Sequence, residues 1–137
     1  LKNNLYDYYN HITYIADKTS SLRQLTINEN IKIWKNTCLS KIDFEQINNV
    51  LSTLKLIDLK DKKVNSLSLG EIKKLELIRL IIENKRIWIL DEPFTNLDSE
   101  SIDVLVQTFQ DHCKNDGSII FSSHQVLQIR NLEEILL

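Results

Sequence analysis

Apolar residues recur at helical spacing through the first half of the chain and gather into unbroken runs in the second. Ile12 to Ala16, ITYIA, is β-branched and aromatic and predicts a short strand. A loop of small and polar residues follows to Leu25. Thr26-Ile27-Asn28-Glu29 then has the pattern of a capping box, in which a threonine and a glutamate satisfy each other's free backbone N–H groups. Ile27, Ile31 and Trp34 keep helical spacing behind it. Asp43 and Gln46 make a second start of the same kind, and Ile47, Val50, Leu51 and Leu54 supply one apolar face. Residues 57–64 are charged and predict a loop. Residues 1–11, polar and aromatic without periodicity, predict an irregular lead-in.

Ser68-Leu69-Gly70-Glu71 is a third capping box. It opens a helix with Ile72, Leu75, Ile78 and Ile82 placed for packing, and Lys73, Lys74, Glu76 and Arg79 expected on the wetter side. Ile87 to Leu90 is apolar without a break, as expected of a strand buried on both faces. Asp98 or Ser99 caps the next helix, whose Ile102, Leu105, Val106 and Phe109 share a face. Asn115-Asp116-Gly117 ends it, Gly117 being the expected left-handed residue. Ser118 to Ser123 predicts a second buried strand that runs into His124. Strand, helix and strand in this order make a βαβ unit with a parallel sheet. The expected fold class is therefore α/β, with a helical segment over about residues 18–66 and an α/β segment over 67–137.

Composition narrows the picture. With 137 residues and 42% hydrophobic content, the chain suits one compact domain with a modest core. A net charge of −2 and the lack of a basic block exclude nucleic-acid binding by a broad electrostatic footprint. Cys38 and Cys113 stand far apart with no CxxC spacing, and predict two buried reduced thiols rather than a disulfide or metal site. No apolar run of about 18 residues occurs, so no direct membrane span is expected. The chain begins at Leu1 and contains no methionine, which predicts that it is part of a longer product.

Parallel sheets bind ligands at the carboxyl ends of their strands. Asp91 and Glu92 follow the first apolar strand, and His124 follows the second. An aspartate in such a place suits Mg²⁺, which takes one or two carboxylates together with waters and phosphates. A glutamate beside it can accept a proton from an attacking water. The imidazole can hydrogen-bond a phosphate oxygen or that water. Taken singly, each has a plainer reading: a solvated turn, a surface histidine, a helix start at LSLGE, an N-cap at Asp98.

The ordered set is more specific. SLSLGE, an amphipathic helix, IWILDEP, TNLD and SIIFSSH follow one another, and this order resembles the ATP-binding cassette (ABC) ATPases. The resemblance implies that Leu67 to Glu71 is the signature, with Leu69 in place of its first glycine and Glu71 in place of its final glutamine. Ile87 to Asp91 becomes the Walker B strand, with Asp91 holding Mg²⁺ through water. Glu92 becomes the catalytic glutamate that polarises water, Thr95 to Asp98 the D-loop, and His124 the switch histidine. Ser68, Gly70 and Glu71 form the end that contacts ATP bound by a second subunit, where helix N-terminal N–H groups favour a phosphate. Asp98 helps communicate across that dimer. Asp17 stands where the family has its Q-loop glutamine.

The same resemblance implies a partial P-loop NTPase fold, a helical subdomain plus a C-terminal parallel-sheet part, lacking the Walker A region. The phosphate loop G-x-x-x-x-G-K-[ST] needs two glycines in close register, and the chain's only glycines are Gly70 and Gly117. Residues 1–137 alone are accordingly expected to bind ATP poorly and to be inactive. The implied partners are a second ATPase subunit, as a homodimer, and transmembrane subunits of a transporter.

Within the family, YIADKTSSLRQLTINENIKIW, RLIIENKRIWILDEPFTNLD and SSHQ resemble the ATP-binding subunit of the heme exporter of cytochrome c maturation, notably in Trp88 before the acids. That implies heme export from a peripheral position on the cytoplasmic face of the bacterial inner membrane, or on the matrix face of the mitochondrial one. Two alternatives stand beside it. One is a non-catalytic truncated remnant or docking module. The other is an SMC- or Rad50-like ATPase, whose signature often ends in glutamate, like Glu71; such proteins carry coiled coil before it, and no sustained heptads precede it here.

Overall fold

A computed structural model describes residues 10–124. Strands β1 (Ile12–Ile15), β2 (Ile87–Asp91) and β3 (Ser118–Ser122) form one parallel sheet in the order β1-β2-β3. Helices α1 (Ile27–Thr37), α2 (Phe44–Thr53) and α3 (Leu69–Glu83) lie between β1 and β2, and α4 (Ser99–Lys114) between β2 and β3. The lead-in expected over residues 1–11 falls outside the described residues as far as residue 9.

All three predicted capping boxes form, at Thr26 with Glu29, Asp43 with Gln46, and Ser68 with Glu71. Residues 57–64 depart from the expected loop. Two short 3-10 turns, Ile57–Leu59 and Val64–Ser66, lie in this region. They are held because Leu56 and Val64 are fully buried.

Two apolar clusters fill the interior, and α3 serves both. Ile72, Leu75, Ile78 and Ile82 pack with Ile27, Ile31, Ile47 and Leu51 of α1 and α2. Leu77 and Leu80 pack on the other side with Ile15, Trp88, Leu90, Leu105 and Phe109. This overturns the expectation of a wet side. Lys73 is 7%, Lys74 8% and Glu76 3% exposed, because a helix sandwiched between two layers has no solvent face along its central turns. Arg79 is half-buried.

The strands also differ from expectation. Thr13, Ile15, Trp88 and Leu90 are buried on one sheet face, whereas Tyr14 is 55% and Ile120 63% exposed on the other. Tyr14, Ile89 and Ile120 are in register, so half-buried Ile89 lies between two open positions in one row. An unbroken apolar run reports that both faces are apolar, and among the described residues only one of them is covered.

At the end of α4 it is Asp116, not Gly117, that takes the left-handed conformation, with φ 61°. Gly117 is needed for another reason: a Cβ there would collide with the His112 ring. That ring stacks on Trp88 at 3.6 Å with planes 10° apart, and burial lowers its pKa. The cysteines are free but not both buried. Cys38 is half-buried, with its thiol on the Trp34 carbonyl and its pKa raised by burial, and Cys113 is exposed near the end of α4.

Candidate functional site

The parallel register sets Asp91 opposite Ser122 at the carboxyl edge of the sheet. Asp91 Oδ1 accepts a hydrogen bond from Ser122 Oγ at 2.7 Å. The chain then turns sharply: Glu92 has φ 46°, a left-handed conformation that costs roughly 1–3 kcal/mol for a residue of this kind. Its N–H donates to Ser122 Oγ at 3.1 Å, and its carboxylate accepts from Thr95 Oγ1 at 3.3 Å. Phe94 anchors the turn from below, buried against Phe109 and Phe121.

His124 meets Glu92 across the edge. Its ring Nε2 lies 3.5 Å from Glu92 Oε1, and its backbone N–H donates to Oε2 at 3.4 Å. The histidine side chain is 96% exposed, so it is open to a ligand arriving from solvent. Asp91, Glu92 and His124 are thus brought together, as strand adjacency requires.

Asp98 is the N-cap of α4, with Oδ1 accepting from the Ser101 N–H at 2.9 Å. Its other oxygen pairs with Lys74 Nζ at 2.7 Å. Lys74, followed by Ser101, holds the Asp98 carboxyl well below the usual range. This pair fastens the turn after β2 to the second turn of α3.

At the other end of that contact lies the start of α3. Ser68 Oγ donates to Glu71 Oε2 at 2.8 Å, and the Ser68 N–H donates to the same oxygen at 2.7 Å. The Ser68 N–H and hydroxyl together depress the Glu71 pKa. Both side chains are therefore engaged with each other. Gly70 lies against the turn after β2, where a Cβ would stand 2.6 Å from the Asn96 carbonyl oxygen. Asn96 itself is left-handed, with φ 64°. Gly70→Ala is expected to push residues 95–98 away from α3 and to cost about 1–3 kcal/mol, the usual penalty of overpacking. Urea unfolding checks this, and an unchanged midpoint refutes it.

Asp17 is exposed in the bend after β1. Sequence reasoning missed two residues of this edge. Ser122 touches both Asp91 and Glu92, and its place opposite Asp91 follows once the two strands are aligned in parallel. Lys73 reaches the Asp91 carbonyl with its Nζ at 3.3 Å. Burial lowers the Lys73 pKa, opposed by Asp17, Asp91, Glu76 and Glu92. The sequence carried no signal for it, since Lys73 and Lys74 between Glu71 and Glu76 make a pattern that the helical period assigns to solvent.

The fold is a fragment of the α/β fold of the ABC ATPases. The family model described as ABC transporter matches residues 2–95, and the chain belongs to that family. Among curated relatives, the cytochrome c biogenesis ATP-binding export protein CcmA of Histophilus somni (strain 129Pt) is 29% identical over 137 residues, all of this chain and 63% of the relative. A solved structure described as the ATP binding subunit of an ABC transporter superposes with a TM-score of 0.80 at 20% identity, over 90% of this chain and 53% of that one. A dimeric post-hydrolysis structure of the ATP-binding cassette MJ0796, bound to ADP and Pi, gives 0.72 at 18% identity, over 91% and 57%. The chain therefore spans between half and two thirds of the length of these proteins. Among the described residues no helix is long and apolar enough to cross a membrane.

Proposed function

We propose that the full-length protein is the ATP-hydrolysing subunit of an ABC transporter, with Glu92 as the general base. The observation that carries this reading is the convergence of Asp91, Glu92 and His124 at one sheet edge, beside a turn that Lys74 and Gly70 tie to the signature helix. Glu92 accepts the proton of the attacking water, and its position is set by Ser122, Thr95 and His124. His124 orients a phosphate oxygen. The residues present suit Mg²⁺: Asp91 has Oδ1 on Ser122, while among the described residues Oδ2 has no hydrogen-bond partner. Mg²⁺, when bound, neutralises developing charge on the phosphates.

Ser68, Gly70 and Glu71 serve the nucleotide of a second copy, and Asp98 links the two copies. Asp17 stands in the place of the Q-loop glutamine after β1. In this reading residues 18–66 form the helical subdomain, residues 67–137 the signature helix and catalytic part, and the Walker A region lies outside the chain. The relatives named for cytochrome c biogenesis export support heme export as the transported task, with transmembrane subunits as partners and a peripheral place on the inner membrane. Residues 1–137 alone are expected to show no measurable ATP affinity by calorimetry, whereas the full-length protein turns ATP over in the presence of Mg²⁺. Micromolar binding by 1–137, or an inert full-length protein, contradicts the reading.

A further inference from the structure

The peptide unit between Asp91 and Glu92 sets the direction of both carboxylates, and it is gripped at both ends. Its carbonyl oxygen accepts from Lys73 Nζ, and its N–H donates to Ser122 Oγ. The Ser122 hydroxyl then closes the set by donating to Asp91 Oδ1. Between these contacts Glu92 holds a left-handed backbone that few non-glycine residues adopt unless their surroundings enforce it.

Packing alone gives no reason for a lysine at 73. The residue is buried, and a methionine of similar length would fill its place without desolvating a charge. Nor does Lys73 share the two partnerships around it. Lys74 is committed to Asp98, and Glu76 to the segment 19–21 and Arg79. The ammonium instead sits behind the sheet edge, with Asp17, Asp91, Glu76 and Glu92 as the charges acting on it.

We propose that Lys73 is a positioning residue for phosphoryl transfer: through the Asp91 carbonyl it fixes the left-handed turn at Glu92. This rests on the function proposed above. Lys73 acts through the main chain of Asp91, not through a carboxylate oxygen.

The test uses Lys73→Met in the full-length protein, with Lys73→Arg as the variant that keeps charge and donor. Lys73→Gln replaces the methionine variant if that one fails to fold. Hydrogen exchange of the segment 88–95, followed by mass spectrometry, is expected to speed up by about tenfold in Lys73→Met and to return towards the parent in Lys73→Arg. The kcat for ATP is expected to fall about tenfold or more, with KM changed by less than about threefold. Unchanged exchange overturns the clamp whatever the ATPase does. Faster exchange with an unaltered kcat overturns the positioning role, and a rise in KM alone would place Lys73 on the nucleotide instead. If the parent itself hydrolyses no ATP, the functional reading fails, while the exchange measurement still decides the clamp.

Discussion

Replacing Glu92 by glutamine is expected to stop ATP turnover in the full-length protein and to leave ATP-dependent dimerisation in place. Loss of a positioned general base lowers rates by about 10²–10⁴-fold. The change is nearly isosteric, and the side chain keeps an acceptor for Thr95 Oγ1 and the His124 N–H. The left-handed turn is held through the main chain of residues 91 and 92 by Lys73 and Ser122, neither of which the substitution alters. What disappears is the capacity to take a proton from water, and with it the chemical step alone. Phosphate release measured beside size-exclusion chromatography with ATP separates the two properties. Turnover at the parent rate would sink the assignment of Glu92. Lost dimerisation with an intact fold would show that the carboxylate serves assembly instead.

The largest effect on stability is expected at Glu76. Its carboxylate, deep under the sheet edge, accepts from Thr19 Oγ1 at 2.6 Å, from Ser20 Oγ at 2.9 Å and from the N–H groups of Ser20 and Ser21 at 3.0 and 2.7 Å. Arg79 stands beside it at 3.4 Å and itself donates to Ser20 Oγ. Glu76→Ala leaves the donors of Thr19, Ser20 and Ser21 without their charged acceptor, while Arg79 keeps its pair with Glu83, and is expected to cost about 3–5 kcal/mol. For a chain of this size the melting temperature falls by roughly 10 °C or more. Thermal denaturation of the variant settles the matter, and a change below about 1 kcal/mol would refute it.

The same residue governs part of the acid response. Burial pushes the Glu76 pKa up, but the hydroxyls of Ser21, Thr19 and Ser20 outweigh it and leave the folded value below the ordinary one. The folded state therefore binds the proton less readily than the unfolded chain does. The stabilisation is complete above the unfolded glutamate pKa of about 4.3 and is lost as pH falls through the folded value.

Much of the local structure was legible because short-range chemistry decides it. Thr26, Asp43 and Ser68 each precede an acid or glutamine by three residues, and each begins a helix. The apolar runs at Ile87 and Ile119 flank an amphipathic helix, and the parallel pairing follows. What periodicity could not reveal was enclosure. Lys73, Lys74 and Glu76 follow the rule for a solvent face, yet α3 has layers on two sides and no such face there. Ser122 carried no signal until strand register was known, since a serine at a strand end is ordinary until it is opposite Asp91. At Gly117 the residue was noticed for the wrong cause: its neighbour Asp116 bears the unusual torsion, and Gly117 makes room for His112. The placement of Asp91, Glu92 and His124 at one edge follows from strand order alone, while the way they are held depends on residues far away in sequence.

The shared helix has a mechanical consequence. Fifteen residues make α3 a rod about 22 Å long. Ser68 and Gly70 lie at one tip, and Glu83, which accepts from Thr13 Oγ1 of β1 at 2.9 Å, lies at the other. Between them Lys73 and Lys74 grip the two ends of the turn after β2, and Glu76 grips the loop after β1. A tilt of about 5° about the Glu83 end would carry the signature tip by about 2 Å, more than the tolerance of a hydrogen bond. The lysines and Glu76 lie at intermediate radii, so the same tilt would strain their contacts in graded order, Lys73 and Lys74 before Glu76. A displacement of that tip would thus strain the carboxylate edge most and the loop after β1 least, with the far end of the rod as its pivot.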